Sequence, residues 1–552
     1  MVKHVKAALA LSALALVAVA AAAATTGSTA QKDTFVFATE SEPTFLDPAI
    51  VSDGPSLRVA DQIFEGLVTV KAGTTQIVPA LARSWKGSNG GKTWTFRLRT
   101  GVTFHDGTPF NSQAVCANFN RWYNFPPAFQ PDSVAYYYYA VFNGYAKPAK
   151  GLPGPKDALY RSCRPVNAST VQINLRKPSA AFIAALSLPS LSMQSPTALQ
   201  QYDANKGTLS KDGVLRPEGN YATEHPTGTG PFKFVSWKVG DKLVLERNDD
   251  YWGAKARLKT VIFQAIPDNA ARLQALQNGE IDGYNLVEPQ DIATIKKNPN
   301  LKIIDRPAFN VGWVTINSAK KPMNNPLVRQ AVAYGLDRES VVKSFYGGRG
   351  VVAQEFMPPE LFGYAKDVKR YSYNPAKAKA LLQQAGLTLP VEIEFWYPTD
   401  ISRGYMPDPT RNFQAFAASL EKSGFKVVAK SAPWRPDYVS RTQAGTAGHL
   451  NLIGWTGDFG DPDNFIGTFF RTEQNQWGPI NPKIHQILNR ALSETNADVR
   501  AGLYRQANRM IMQFLPGVPY VHTKPALAFK KGVTGYVASP IELEPLERVS
   551  VR

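Results

Sequence analysis

Val391-Glu-Ile-Glu-Phe-Trp-Tyr397, then Asp408-Pro409, then Gly424 and Phe425-Lys-Val-Val-Ala429 decide the fold. The first run alternates apolar and acidic residues, the period of a strand with one buried face. Asp408-Pro409 is a helix start, because the aspartate can cap and proline lacks only an amide that the first turn leaves unpaired. Phe413, Phe416, Ala417 and Leu420 then share one helical face, and Gly424 stops the helix. Phe425–Ala429 is the next strand, and His449-Leu-Asn-Leu-Ile-Gly-Trp455 is another. Strand, helix and strand with short connectors make a βαβ unit, so the fold class is α/β with a partly parallel sheet. Ligands of such sheets bind beyond the carboxyl ends of the strands. Two loops fall there, 398–408 and 456–464.

The same punctuation recurs upstream. Pro267-Asp268 to Gly279, Asn325-Pro326 onward and Asn374-Pro375 to Gly386 each read as a capped helix. Thr34–Ala38 and Val171–Leu175 read as strands, and 85–99 reads as strand, glycine turn, strand. Residues 124–165 are rich in Pro, Gly and Tyr without a clear period, and are expected to form a long surface excursion.

The chain has 552 residues, too many for one core, so two or three packed units are expected. Its net charge is +18, yet its basic residues occur at most in pairs such as Lys320-Lys321 and Lys530-Lys531. A nucleic-acid partner is therefore not expected. Lys3 and Lys6 precede the apolar stretch Ala7–Ala24, which reads as a secretory signal over 1–30, with a membrane anchor as the alternative. No cysteine there could accept a lipid, so an exported, unanchored protein, periplasmic or extracellular, is expected. The two cysteines, Cys116 and Cys163, suit a disulfide in that compartment, with two buried thiols as the alternative.

Catalytic patterns fail. Gly87–Thr93 is one residue short of a phosphate loop and lies between strands. No serine is flanked by glycine at both second neighbours, and none of the six histidines forms His-Glu-x-x-His. Asp458, Asp461 and Asp463 lack the glycine and glutamate of a calcium loop, and Asp461-Pro-Asp-Asn464 reads as a turn and helix start. No enzyme, metal or cofactor is expected.

Several short motifs occur together: Glu65-Gly-Leu67, Phe104-His-Asp-Gly-Thr-Pro109, Gly228-Thr-Gly-Pro-Phe232, Asp250-Tyr-Trp-Gly253, Leu276–Gly283, Val328-Arg-Gln-Ala331 and Trp455–Asn464. In this order, over nearly the whole chain from Thr34, they resemble the family 5 solute-binding proteins of ATP-dependent peptide importers. The resemblance implies a two-lobe, type II periplasmic-binding-protein clamp with an extra subdomain in the first lobe. It puts chain crossings near Phe309 and Thr523. Lobe 1 is then 31–308 plus 524–552, with an insertion over roughly 80–220, and lobe 2 is 309–523. It implies a monomer that hands a short peptide to permease subunits of the importer.

In the dipeptide branch an aspartate takes the ligand's ammonium and an arginine its carboxylate. The matching positions are Asp458 and Arg403, with Gly404 departing from the branch pattern. A zwitterion needs an anion and a cation at a fixed gap, and two extended residues span roughly 7 Å. Arginine's planar fork suits a carboxylate. Trp455, Trp434 and Trp313 are candidates for the pocket wall, with core packing as the alternative for each. Other branches of the family take nickel chelates, haem, glutathione or oligosaccharides. A secreted hydrolase is the remaining reading.

Overall fold

Two large sheets organise the chain, and the polypeptide passes between them twice. The computed structural model describes residues 32–211 and 213–552, so the leader read over 1–30 lies outside the described residues. The first sheet has seven strands, in the order Phe232–Lys238, Lys242–Arg247, Thr260–Ala265, Thr34–Thr39, Gly283–Val287, Ala526–Lys530 and Leu301–Asp305. The second has six, in the order Gly350–Val351, Gly517–Thr523, Asn310–Ile316, Leu450–Thr456, Val391–Pro398 and Phe425–Ala432. The chain leaves the first sheet after Asp305 and enters the second at Asn310; it leaves the second after Thr523 and re-enters the first at Ala526. Each sheet with its helices is called a lobe below.

The helices of the second lobe begin where their caps dictate. The side chains of Asn325, Asn374 and Asp408 accept from the amides of Leu327, Lys377 and Arg411, and proline follows each cap. Such a cap contributes about 1 kcal/mol. Pro409–Lys422 turns Phe413, Phe416 and Leu420 into the core against the sheet. The chain turns away just beyond it at Gly424, whose φ of 93° a side chain would resist. Val391–Pro398 then pairs in parallel with Phe425–Ala432 on one side and with Leu450–Thr456 on the other, the βαβ arrangement read from the sequence.

Between Thr34–Thr39 and Phe232–Lys238 the first lobe carries an insertion around a four-stranded sheet, Ala82–Ser88, Thr93–Leu98, Thr170–Leu175 and Tyr160–Asn167. Ser88 pairs with Thr93 across the Gly-rich turn, a hairpin and not a phosphate loop. Residues 124–165 depart from the expected surface excursion. Phe125, Phe129, Val134, Tyr138, Phe142 and Tyr145 are buried, and Tyr136–Phe142 is a helix. Aromatic rings reach a common core from one short helix and the irregular backbone around it, so periodicity does not reveal them; Tyr138 packs on Phe142 and Tyr145 at 5.2 and 5.0 Å between centroids. Cys116 and Cys163 form a disulfide between the helix Ser112–Tyr123 and the strand Tyr160–Asn167. Among the described residues no helix is long and apolar enough to cross a membrane.

Candidate functional site

Three neighbouring parallel strands of the second lobe end on one edge, and the loops that leave them carry Arg403, Trp434 and Asp458. Val391–Pro398 runs into the Arg403 loop, Phe425–Ala432 into Trp434, and Leu450–Thr456 into Asp458. The loops are laced together. Trp434 donates its backbone N–H to Asp400 Oδ1 at 2.6 Å, and the Tyr405 ring fills the space a Cβ on Gly454 would take.

The acidic loop sorts its three aspartates. Asp461 is buried and paired with Arg500, Nη1 to Oδ2 at 2.7 Å; it also caps Pro462–Asn464, as the sequence suggests. Asp463 is paired with Arg471 at 2.5 Å. Only Asp458 has no cationic partner among the described residues. Its Oδ1 accepts from Tyr137 Oη at 2.8 Å and its Oδ2 from Asn464 Nδ2 at 3.0 Å, while its N–H donates to Asn464 Oδ1 at 2.7 Å. Burial pushes its carboxyl up to about 6, against the lowering pull of the Asn464 and Tyr137 hydrogen bonds. A part-buried carboxylate with donors but no counter-charge has room in its electrostatics for a cation.

Arg403 is its counterpart. It makes no ion pair among the described residues, and its Nε is buried without a hydrogen-bond partner. The guanidinium carbon lies 4.9 Å from the Trp434 ring centroid, a contact that holds the fork in place without using an N–H donor. Leaving such a donor unmet costs about 1–3 kcal/mol or more for a charged group, which a carboxylate would relieve.

Of the three tryptophans, Trp455 is half-buried beside Asp458, edge-on to Phe469 at 5.4 Å, with Nε1 3.4 Å from Asn464 Oδ1. Trp434 backs Arg403. Trp313 is different: it is 1% exposed, wedged among Phe356, Phe469 and Trp477, and its Nε1 donates to Thr315. Its strand is central and buried along its length, so the ring belongs to the core of the second lobe and not to a pocket wall.

The first lobe's share of the site has no local signature in the sequence. Tyr137 comes from the insertion, so its bond to Asp458 spans the cleft and the lobes are closed on each other. Phe459 is 7% exposed and sits in the insertion's aromatic core, and a Cβ on Gly460 would lie 2.6 Å from Thr75 Cβ. Asp458, Phe459 and Gly460 thus all dock on the first lobe. The tyrosine run 136–139, in a stretch without period, was the one available signal.

A separate cavity lies away from these loops. It is about 710 Å3, on the outside of the insertion, lined by Pro127, Pro131, Tyr139, Leu152 and Leu209. Its ionic groups, Asp132 and Lys150, are exposed, and solvated ion pairs are worth about 1 kcal/mol or less. The chemistry points to Asp458 and Arg403 instead.

Residues 76–477 match the bacterial extracellular solute-binding proteins, family 5 (middle region). The chain is 31% identical over 541 residues to the dipeptide-binding protein of Escherichia coli K12, covering 96% of each. It is 32% identical over 540 residues to heme-binding protein A of Haemophilus influenzae, covering 96% of this chain and 94% of that one. In structure it is similar to the periplasmic binding protein DppA of Helicobacter pylori, solved with the peptide STSA. There the TM-score is 0.79 at 28% identity, covering 94% of this chain and 98% of that one. The type II periplasmic-binding-protein clamp is therefore the fold, and the chain belongs to family 5 of the bacterial extracellular solute-binding proteins.

Proposed function

We propose that the protein is the capture component of a peptide importer, binding a dipeptide or short peptide by both its charged ends between the lobes and presenting the closed clamp to the permease. One observation carries this reading: among the described residues Asp458 lacks a cation and Arg403 lacks an anion, on loops leaving the same edge of neighbouring parallel strands. Asp458 takes the ligand's ammonium and Arg403 its carboxylate, while Trp455 and Trp434 give flat apolar walls that accept varied side chains. One chain supplies the whole cleft, so a monomer suffices. The leader-like residues 1–30 support export.

Closure needs better contacts in the closed form than in the open one. The ligand supplies them by neutralising Asp458, whose loop docks on the first lobe. Calorimetry of the mature protein with alanyl-leucine, hemin and a linear oligosaccharide tests the assignment. Saturable binding of the dipeptide is expected, with a melting temperature that rises with dipeptide concentration. No response to the dipeptide, together with tight binding of hemin or the sugar, would overturn it.

A further inference from the structure

The Arg403 turn is fastened to the hinge. Arg403 and Met406 exchange backbone hydrogen bonds, Arg403 N to Met406 O at 3.1 Å and Met406 N to Arg403 O at 2.8 Å, so 403–406 is one tight unit. Its next two carbonyls are both taken by hydroxyls of Gly517–Thr523, the strand that leads into the second crossing. Thr523 Oγ1 donates to Gly404 O at 2.7 Å. Tyr520 Oη lies 3.3 Å from Tyr405 O, and Tyr346 Oη donates to the same carbonyl at 3.0 Å.

Thr523 is in turn locked to the other crossing strand. Asn310, the first residue after the first crossing, accepts from Thr523 N–H at 2.9 Å and donates Nδ2–H to Thr523 O at 3.0 Å. These two bonds fix the amide's orientation. The threonine hydroxyl has one proton, and Gly404 O, its closer acceptor, is the better placed to receive it; Asn310 Oδ1, at 3.0 Å, is already served by the backbone amide.

Gly404 completes the seat. A Cβ there would lie 2.8 Å from Cγ of Pro525, the last residue of the second crossing. Gly404 has no left-handed φ, so alanine suits its backbone and would disturb only this contact. The absence of a side chain lets the turn sit flush on the hinge.

We propose that Thr523 is a positioning residue for the carboxylate end of the ligand, holding the Arg403 turn against the paired hinge strands through Gly404, so that carboxylate capture and hinge geometry act as one unit. The proposal rests on Arg403 being the carboxylate receptor. Misplacing a bidentate fork weakens only ligands that use it.

The test compares alanyl-leucine with its C-terminal amide, which lacks the carboxylate, by calorimetry on the unaltered protein and on Thr523→Val, Thr523→Ser and Gly404→Ala. The unaltered protein is expected to prefer the free acid. Thr523→Val and Gly404→Ala are each expected to weaken the free acid about five- to tenfold, leave the amide unchanged, and so shrink the preference. Thr523→Ser, which keeps the hydroxyl, is expected to keep it. An equal loss for acid and amide in both variants would mean a general effect on closure and would overturn the positioning role, as would no loss in either. Gly404→Ala keeps the test open should Thr523→Val fold poorly. If the unaltered protein binds acid and amide alike, the Arg403 reading itself falls, and the positioning role with it.

Discussion

Tyr137 and Asp458 stand on opposite lobes, and the tyrosine hydroxyl donates to Asp458 Oδ1 at 2.8 Å. The residue proposed to receive the ligand's ammonium is therefore also a clasp of the closed form. This relationship links occupancy to closure without a relay: the same carboxylate serves the ligand and the opposite lobe.

Tyr137→Phe removes the clasp and keeps the ring. A hydrogen bond to a charged group is worth about 1.5–3 kcal/mol. Dipeptide affinity is expected to fall about tenfold, mostly through faster release. Stopped-flow release rates check it, and X-ray scattering should show a larger radius of gyration for the variant at subsaturating peptide.

The pH dependence follows from two groups. Burial holds the Asp458 carboxyl at about 6 in the closed clamp. An ammonium ligand binds the ionised form, so affinity rises with pH through that value and is about tenfold weaker at pH 5 than on the plateau. The peptide's own α-amino group loses its charge above about 8. The affinity profile should be a bell with its top between these limits. Tyr137→Phe also removes a donor to the carboxylate, so its acid limb should move to higher pH. Calorimetry from pH 4.5 to 9 checks both.

Much of this was legible in residues with local physics. The Asn-Pro and Asp-Pro helix starts, Gly424, and the alternation in Val391–Tyr397 each act over a few residues, and each stands where the pattern put it. The loop positions of Asp458 and Arg403 follow from strand direction. What sequence could not supply was long-range. Tyr137 lies 321 residues from Asp458, and Phe459 fills a core assembled from Ala49 to Ala222. Trp313 and Trp455 look alike in sequence, yet one sits on a central strand and the other at a strand's open end. The partner of Asp461, Arg500, likewise comes from a helix, Ala497–Phe514, that no local motif connects to the loop.

The Cys116–Cys163 bridge closes 47 residues of the insertion, across the irregular stretch that carries Tyr137. In the chain-entropy account it contributes about 4 kcal/mol. Reduction should lower the melting temperature by several degrees, and Cys116→Ser with Cys163→Ser should reproduce that loss without reductant. Differential scanning calorimetry checks it; because the bridge supports the segment bearing Tyr137, weaker dipeptide binding should accompany the lower melt.

The central claim is that Asp458 receives the ligand's ammonium, and a thermodynamic cycle between Asp458→Asn and N-acetylation of the ligand tests it most directly. Calorimetry would give four affinities, for alanyl-leucine and N-acetyl-alanyl-leucine on both proteins. Removing one side of a water-excluded charged contact costs about 2–5 kcal/mol, or roughly thirty- to several-thousandfold in affinity. The account predicts that loss for the free peptide on Asp458→Asn and for the acetylated peptide on the unaltered protein, with little further loss when the two changes are combined. Equal affinity of the unaltered protein for both peptides, or strictly additive losses, would contradict it.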